Sequence, residues 1–159
     1  MRGLSMLFNY DKTSPESILE YAKQLEGQTF LDVKKRYLTY FHKISELNDK
    51  SNDNTNAKGQ LGNFLEEYYF GYKPNSDQEA DFKEAGVELK QTCIDMKKNG
   101  SYTAGERLSI TNISYEEPVE IDFYKSHVWD KIRLILLIHY LRDKSIPRMQ
   151  NKILFSNLF

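Results

Sequence analysis

The stretch "DFKEAGVELKQT", residues 81–92, places an aspartate, a glutamate and a lysine around an alternating apolar segment. Side chains two apart on a strand share a face, so Glu88 and Lys90 are predicted to point the same way, while the apolar residues on either side of Glu88 pack into the core. Gly86 permits a sharp bend that would return Asp81 to the side of Glu88. The stretch therefore predicts a strand whose polar face carries two carboxylates and a lysine.

Two carboxylates that converge repel each other, and each raises the pKa of the other unless a cation lies between them. Mg²⁺ is the natural cation, because it takes oxygen ligands and keeps several waters and a substrate phosphate oxygen. Lys90 would then orient or help to deprotonate an attacking water, or stabilise charge on phosphorus. The same spacing also fits an ordinary strand with solvated charges on its wet side, and the spacing alone favours this second interpretation.

The sequence around this stretch predicts helices before it and strands after it. Thr13 or Ser14 can cap the first helix, with Glu16 completing a capping-box spacing from Thr13, and Thr29 can cap the second. The predicted elements are a pair of helices within 13–42, a polar loop at 47–57, a helix at 58–70, strands at 85–94, 106–114 and 132–141, and a tight hairpin at Asn99-Gly100.

The order of these elements favours one α+β (α/β-like) domain over residues 1–159, with a mixed central β-sheet flanked by helices. A chain of 159 residues with 40% apolar and 28% charged residues is typical of a globular protein with a real core. No run approaches the ~20 apolar residues that a membrane span needs. Cys93 is the only cysteine, which excludes an internal disulfide framework and a cysteine metal cluster and suits a reducing cytoplasm.

The net charge and the last residues of the chain say less about function and domain organisation than the motif at 81–92 does. The net charge of -1 does not by itself indicate a nucleic-acid binder, but it excludes none, because the local distribution of charge matters more than the sum. The stretch "NKILFSNLF", residues 151–159, ends on apolar positions without a helix stop or a polar tail. This ending predicts that the chain is an N-terminal fragment of a longer protein.

Three blocks together carry a more specific signal: "KGQLGNFLEEYYFG" at 58–71, "DFKEAGVELKQT" at 81–92 and "SHVWDKIRLILLI" at 126–138. In their order and spacing they resemble the MutH family, which contains mismatch-repair nicking endonucleases and type II restriction endonucleases cutting at GATC. The resemblance implies the restriction-endonuclease-like PD-(D/E)xK fold, a Mg²⁺ cofactor for which Mn²⁺ can substitute, and double-stranded DNA as partner. Residues 97–115 look more like the restriction branch than the repair branch.

The resemblance also implies a role for each matching residue. Asp81 and Glu88 look like the metal-binding carboxylates, and Lys90 like the motif lysine. Glu66 matches a helix-borne acidic residue that supports the metal site, and Lys131 matches a lysine near the scissile phosphate. Without the resemblance, Glu66 is better explained as a surface helix residue, and Lys131 equally well as a lysine that extends to solvent at the entry to a buried strand.

DNA binding requires cations on the surface that faces the phosphates. The candidates for these contacts are Lys58, Lys97, Lys98, Lys125 and Arg133.

The resemblance thus implies a Mg²⁺-dependent type II restriction endonuclease that cuts DNA at GATC sites. A MutH-type strand-nicking endonuclease is the first alternative, and a non-catalytic DNA-binding or allosteric domain is an alternative of another class. In the resembling family the elements that read base edges lie largely after the catalytic core. Dimerisation on DNA, or contact with a C-terminal domain beyond this chain, is therefore also expected.

Overall fold

In the computed structural model, three of the described helices precede a mixed four-stranded sheet and a fourth helix lies between its second and third strands along the chain. The structure describes residues 7–43, 60–73, 79–111 and 122–159. Its helices are α1 (Pro15–Lys23), α2 (Phe30–Tyr40), α3 (Gln60–Tyr68) and α4 (His127–Ile132), and its strands are β1 (Glu88–Met96), β2 (Tyr102–Ala104), β3 (Ile135–Leu141) and β4 (Ile153–Leu158). The predicted α+β class with a mixed sheet is confirmed, whereas the loop predicted at 47–57 lies outside the described residues.

The first two helices begin at side-chain caps. Thr29 caps α2 through a complete capping box with Asp32, in which each side chain bonds to the backbone of the other residue. Ser14 caps α1, because its hydroxyl accepts a hydrogen bond from the N–H of Ser17 at 3.2 Å. The capping box predicted between Thr13 and Glu16 is wrong, since the hydroxyl of Thr13 donates at 2.8 Å to Asp11 in the preceding turn.

The sheet has the strand order β2-β1-β3-β4. Its centre is the parallel pair β1 and β3, which runs in register from Glu88 opposite Ile135 to Ile94 opposite Leu141. β4 pairs antiparallel with β3, and β2 pairs antiparallel with β1. The apolar run that forms β3 therefore occupies a central position in the sheet, between β1 and β4.

Two strand predictions need correction, and one strand was not predicted. The strand predicted at 106–114 is wrong over its described part, because the Asn99-Gly100 turn returns the chain at once and the strand forms at Tyr102–Ala104 instead. The chain then leaves the sheet at Gly105, whose N–H donates to the carbonyl of Cys93 at 2.9 Å. The strand predicted from residue 132 begins at Ile135, because Ile132 ends α4 and Arg133 and Leu134 connect the helix to the strand. β4 was not predicted at all.

One face of the sheet packs against the helices. α1 contacts β4 and α3 contacts β1, and on β3 the buried residues alternate with half-buried ones. A stack of tyrosine rings joins α1 to the end of α3, with Tyr21 between Tyr10 and Tyr69 at centroid distances of 4.5 and 4.6 Å. The hydroxyl of Tyr69 donates to the carbonyl of Tyr21 at 2.7 Å, so the stack satisfies its polar atoms and fixes α3 against α1. Among the described residues, no helix has the length and apolar character of a membrane span.

The two threonines near the helix starts give a test of the assigned helix caps. Thr29→Ala removes the capping box of α2 and should lower the free energy of unfolding by about 1 kcal/mol, because the first-turn N–H groups lose their acceptor. Thr13→Ala should cost less, since its hydroxyl bonds no helical N–H. Urea unfolding followed by circular dichroism measures both, and an equal or larger loss for Thr13→Ala would contradict the assignment of the caps.

Candidate active site

A tight turn brings Asp81 back to β1. The N–H of Phe82 donates to the carbonyl of Val87 at 2.9 Å, and the N–H of Val87 donates back at 3.2 Å. Gly86 closes the turn with φ +65°, in the left-handed region that favours glycine. As a result, the Oδ2 atom of Asp81 accepts a hydrogen bond from the N–H of Leu89 at 2.9 Å, so the structure forms the bend that the sequence suggested.

Glu88 is buried between two lysines. Glu88 is 2% exposed to solvent. Its Oε1 atom lies 2.8 Å from the Nζ atom of Lys90, and its Oε2 atom lies 2.9 Å from the Nζ atom of Lys131. Lys90 reaches Glu88 along the same face of β1, whereas Lys131 reaches it from α4, 43 residues further along the chain. The structure thus brings together the glutamate and the two lysines that the sequence singled out.

The position of Lys131 follows from the join between α4 and β3. Ser126 caps α4 by accepting a hydrogen bond from the N–H of Trp129 at 3.2 Å. After this short helix the chain enters β3, and the N–H of Glu88 donates to the carbonyl of Leu134 at 2.9 Å. The parallel pairing therefore places the end of α4 beside the start of β1, and Lys131, 8% exposed, points inward at Glu88.

Glu66 joins the cluster electrostatically from α3. Burial, followed by the negative charges of Asp81 and Glu88, raises the pKa of Glu66 to about 7, against the opposing effect of the two lysines. Burial and then the charge of Glu88 raise the pKa of Asp81 to about 6, although the N–H of Leu89 and the lysines favour its ionised form. Three carboxylates and two ammonium groups leave one excess negative charge when all are ionised.

The oxygen donors and the raised pKa values of the Glu66 and Asp81 carboxyls fit a hard divalent cation, which would relieve the repulsion among the carboxylates. Within the ranges that the structure describes, no three Asp, Glu, His or Cys side chains converge closely enough to hold a metal ion as they stand. The two oxygens of Glu88 are instead bonded to Lys90 and Lys131. The arrangement supplies ligands of the right chemistry, with the lysines neutralising Glu88.

The described lysines that were predicted to contact DNA do not cluster as the residues around Glu88 do. Lys97 and Lys98 are exposed in the turn after β1, about nine residues or ~30 Å of strand from Glu88, and do not join the cluster. Lys125 is exposed and lies 3.4 Å from Asp122 in its own 3-10 turn. Lys58 lies outside the described residues.

Arg133 lies nearer to the cluster than these lysines, and its surroundings were not predicted. Its guanidinium rests against Gly86, where a Cβ atom would overlap the Nη2 atom and lie 2.8 Å from Cζ. The guanidinium also lies 3.8 Å from Asp130 of α4. The spacing of the sequence could not indicate the contact with Gly86, because the two residues are 47 positions apart and meet only through the parallel pairing of β1 with β3.

An α+β fold whose first sheet strand presents a carboxylate and a lysine beside a second carboxylate is the restriction-endonuclease-like arrangement that the three sequence blocks imply. Comparison with known proteins agrees: the family described as DNA mismatch repair enzyme MutH matches residues 70–159, more than half of the chain. The chain belongs to the MutH family. The match includes Asp81, Glu88 and both lysines but begins after Glu66.

The chain is also similar to part of a curated protein. The chain is 38% identical over 91 residues to a protein named Type II restriction enzyme Sau3AI from Staphylococcus aureus. The aligned region is 57% of this chain and 18% of the relative, so the chain spans about a fifth of the relative's length.

The raised pKa of Glu66 predicts a pH dependence of stability in the absence of divalent cations. A carboxyl with a higher pKa in the folded state binds its proton more tightly there, so folding stability falls as the pH rises from the ordinary value of 4.5 through about 7. Glu66→Gln, which stays neutral, should therefore be more stable than wild type at pH 8, and the difference should shrink at pH 5.

Thermal unfolding in EDTA at the two pH values measures this effect. Glu67→Gln, at the exposed next position of α3, is the matched control and should leave the pH dependence unchanged. A Glu66→Gln protein that gains no stability at pH 8 would show that Glu66 is not under electrostatic stress.

Proposed function

We propose that the protein is a divalent-metal-dependent DNA endonuclease of the type II restriction class. The observation that carries the proposal is the buried Glu88, held between Lys90 and Lys131 and next to the returned Asp81. An ion cluster of this kind is expensive to bury and is weak evidence for a role in stability. Perturbed carboxyl groups that converge with lysines at a strand edge are better explained by chemistry on a charged substrate.

The proposed cofactor is Mg²⁺, with Mn²⁺ as a substitute, held by Asp81 and Glu88 with support from Glu66. When bound, the cation would activate a water and neutralise charge on the phosphate. Lys90 has the more exposed side chain of the two lysines, 22% against 10% for Lys131, so Lys90 is placed to orient the attacking water or stabilise charge on phosphorus. Lys131 balances the charge of Glu88 and holds its carboxylate in place.

The proposed substrate is double-stranded DNA, with GATC as the candidate site. The restriction branch is favoured by the relative named as a type II restriction enzyme. The matched family's description as a mismatch repair enzyme favours a second candidate, a strand-nicking endonuclease. The complete set of Asp81, Glu88 and Lys90 argues against a non-catalytic DNA-binding domain, which would have no need to bury these charges.

Plasmid cleavage tests the activity and separates the two candidates. With Mg²⁺ or Mn²⁺ the protein should convert supercoiled plasmid to linear product, whereas accumulation of open circles would indicate nicking. Asp81→Asn should reduce cleavage to background, because the amide can still accept the Leu89 N–H but no longer offers a negative ligand. Lys90→Met should lower the rate by about 10²–10³-fold, the effect of losing one charge-stabilising donor.

The control is Glu79→Gln, which removes an exposed carboxylate that pairs only with Lys83 among the contacts described for it. This variant should cut like wild type. DNA binding in Ca²⁺ should persist in Asp81→Asn. A wild-type protein that cuts neither GATC-containing nor GATC-free plasmid with either metal would refute the endonuclease proposal.

GATC selectivity is tested separately with two duplexes that differ only in a permuted four-base site. Preferential cutting of the GATC duplex is the expected result, since both branches named by the family resemblance act at this sequence. Equal cutting of both duplexes would leave the endonuclease activity in place but contradict GATC selectivity for this chain.

A further inference from the structure

We propose that Arg133 is a positioning residue, whose guanidinium holds the turn between Asp81 and Glu88 against the end of the helix that carries Lys131. Its catalytic consequence rests on the proposed nuclease function. The contact itself does not, because it follows from the packing of Arg133 on Gly86.

The first observation is the fit between the guanidinium and the glycine. Gly86 is buried and left-handed, and Nη2, Cζ and Nε of Arg133 occupy the space that the Cβ of any other residue would need. A flat guanidinium can lie on the bare backbone of a glycine, whereas an ammonium on a flexible stem has no flat surface to pack there. Glycine therefore serves two purposes at this position: it adopts the turn and it accepts the arginine.

The second observation is that the contact between Arg133 and Gly86 joins two segments of the chain that carry residues of the site. On one side, the Gly86 turn connects Asp81 to Glu88 through the paired backbones of Phe82 and Val87. On the other side, Arg133 is the C-cap of α4, two residues after Lys131, and its own N–H donates to the carbonyl of Trp129 at 2.9 Å. The contact thus joins the segment bearing both carboxylates to the helix bearing the lysine.

The third observation is a backbone link beside the contact. The next residue, Leu134, accepts the N–H of Glu88, so the backbone is fixed there while the side chain of Arg133 is fixed at Gly86. One backbone hydrogen bond and one side-chain contact therefore join the Asp81–Glu88 segment to the end of α4. The 44% exposure of the Arg133 side chain leaves a competing role as a DNA-phosphate contact, which the experiment must separate.

The experiment compares Arg133→Met and Arg133→Lys with wild type. If Arg133 positions the turn, both variants should raise the Mg²⁺ concentration for half-maximal cleavage by about 10–100-fold, as loss of an outer support of a metal site does, and lower kcat while KM for DNA stays near wild type. Lysine fails to rescue because the flat group is lost. Arg107→Met, at an exposed position after β2, is the control and should leave all three quantities unchanged.

Two further readouts do not depend on cleavage. The rise in Tm that Mg²⁺ gives wild type should be smaller in both Arg133 variants, because ligand binding stabilises the folded state in proportion to affinity. Gly86→Ala should also lower Tm more in the wild-type background than in Arg133→Ala. The wild-type background suffers both backbone strain and overlap with the guanidinium, whereas the second background suffers strain alone.

A DNA-phosphate role gives a different pattern and would overturn the proposal. In that case Arg133→Met would raise KM, reduce the salt dependence of binding in Ca²⁺ by about one phosphate contact, and leave kcat and the Mg²⁺ requirement unchanged, and Arg133→Lys would be close to wild type. Additive effects of Gly86→Ala and Arg133→Ala on Tm would likewise refute the contact. If wild type neither cuts DNA nor gains stability from Mg²⁺, the nuclease proposal fails, while the Tm coupling still decides the contact.

Discussion

The buried charge of Glu88 is the constraint on which the site depends. Removing an ionised carboxylate from water costs several kcal/mol, and this cost is offset only when partners of opposite charge meet it with good geometry. Lys90 and Lys131 meet both oxygens of Glu88. Because Lys131 comes from a different element, α4 and β1 must stay in one relative position for the charge to remain paired. The parallel pairing of β1 with β3 supplies that position through the bond from Glu88 to Leu134.

The cluster also contains repulsion between carboxylates, which a contribution to folding stability alone does not explain. Glu66 and Asp81 are partly buried near Glu88, and the pKa values of both carboxyls are raised. Apolar residues of similar volume in place of such groups often leave a protein as stable or make it more stable. The stack of Tyr10, Tyr21 and Tyr69 packs the end of α3, the helix that carries Glu66, against α1. Electrostatic strain held by a well-packed core is typical of sites that bind or transform a charged ligand.

The sequence predicted the parts of this structure that are determined locally. Helical spacing with Thr29 as cap, the Asn99-Gly100 hairpin, and the alternation that puts Glu88 and Lys90 on one face are all set by neighbouring residues. The return of Asp81 was also accessible, because Gly86 is a local signal for a turn. The sequence offered both Thr13 and Ser14 as caps of α1 and could not distinguish them; Ser14 is the cap, because Thr13 bonds the preceding turn.

Features that depend on pairing between residues far apart in the chain could not be predicted from the sequence. β4 forms an edge strand whose Ser156 N–H is bonded by Glu26 at 2.9 Å, a contact 130 residues apart that no periodicity reveals. The strand expected at 106–114 has an alternating pattern, yet β2 occupies the place beside β1 because the tight hairpin puts Tyr102–Ala104 opposite the end of β1. Lys97 and Lys98 directly follow the strand that begins at Glu88, and an extended strand of this length carries its far end away from Glu88.

The register of β1 determines both how the strand packs and which side chains form the site. Its residues alternate between two tasks, with Leu89 and Cys93 buried toward the helices and Glu88 and Lys90 on the face of the site. A shift by one residue would exchange the faces, placing two charges in the core and two apolar side chains at the site. Seven consecutive parallel pairs with β3, together with the bond from Asp81 to the Leu89 N–H, oppose such a shift. The same contacts that fix the fold of the strand therefore fix which of its side chains can reach a substrate.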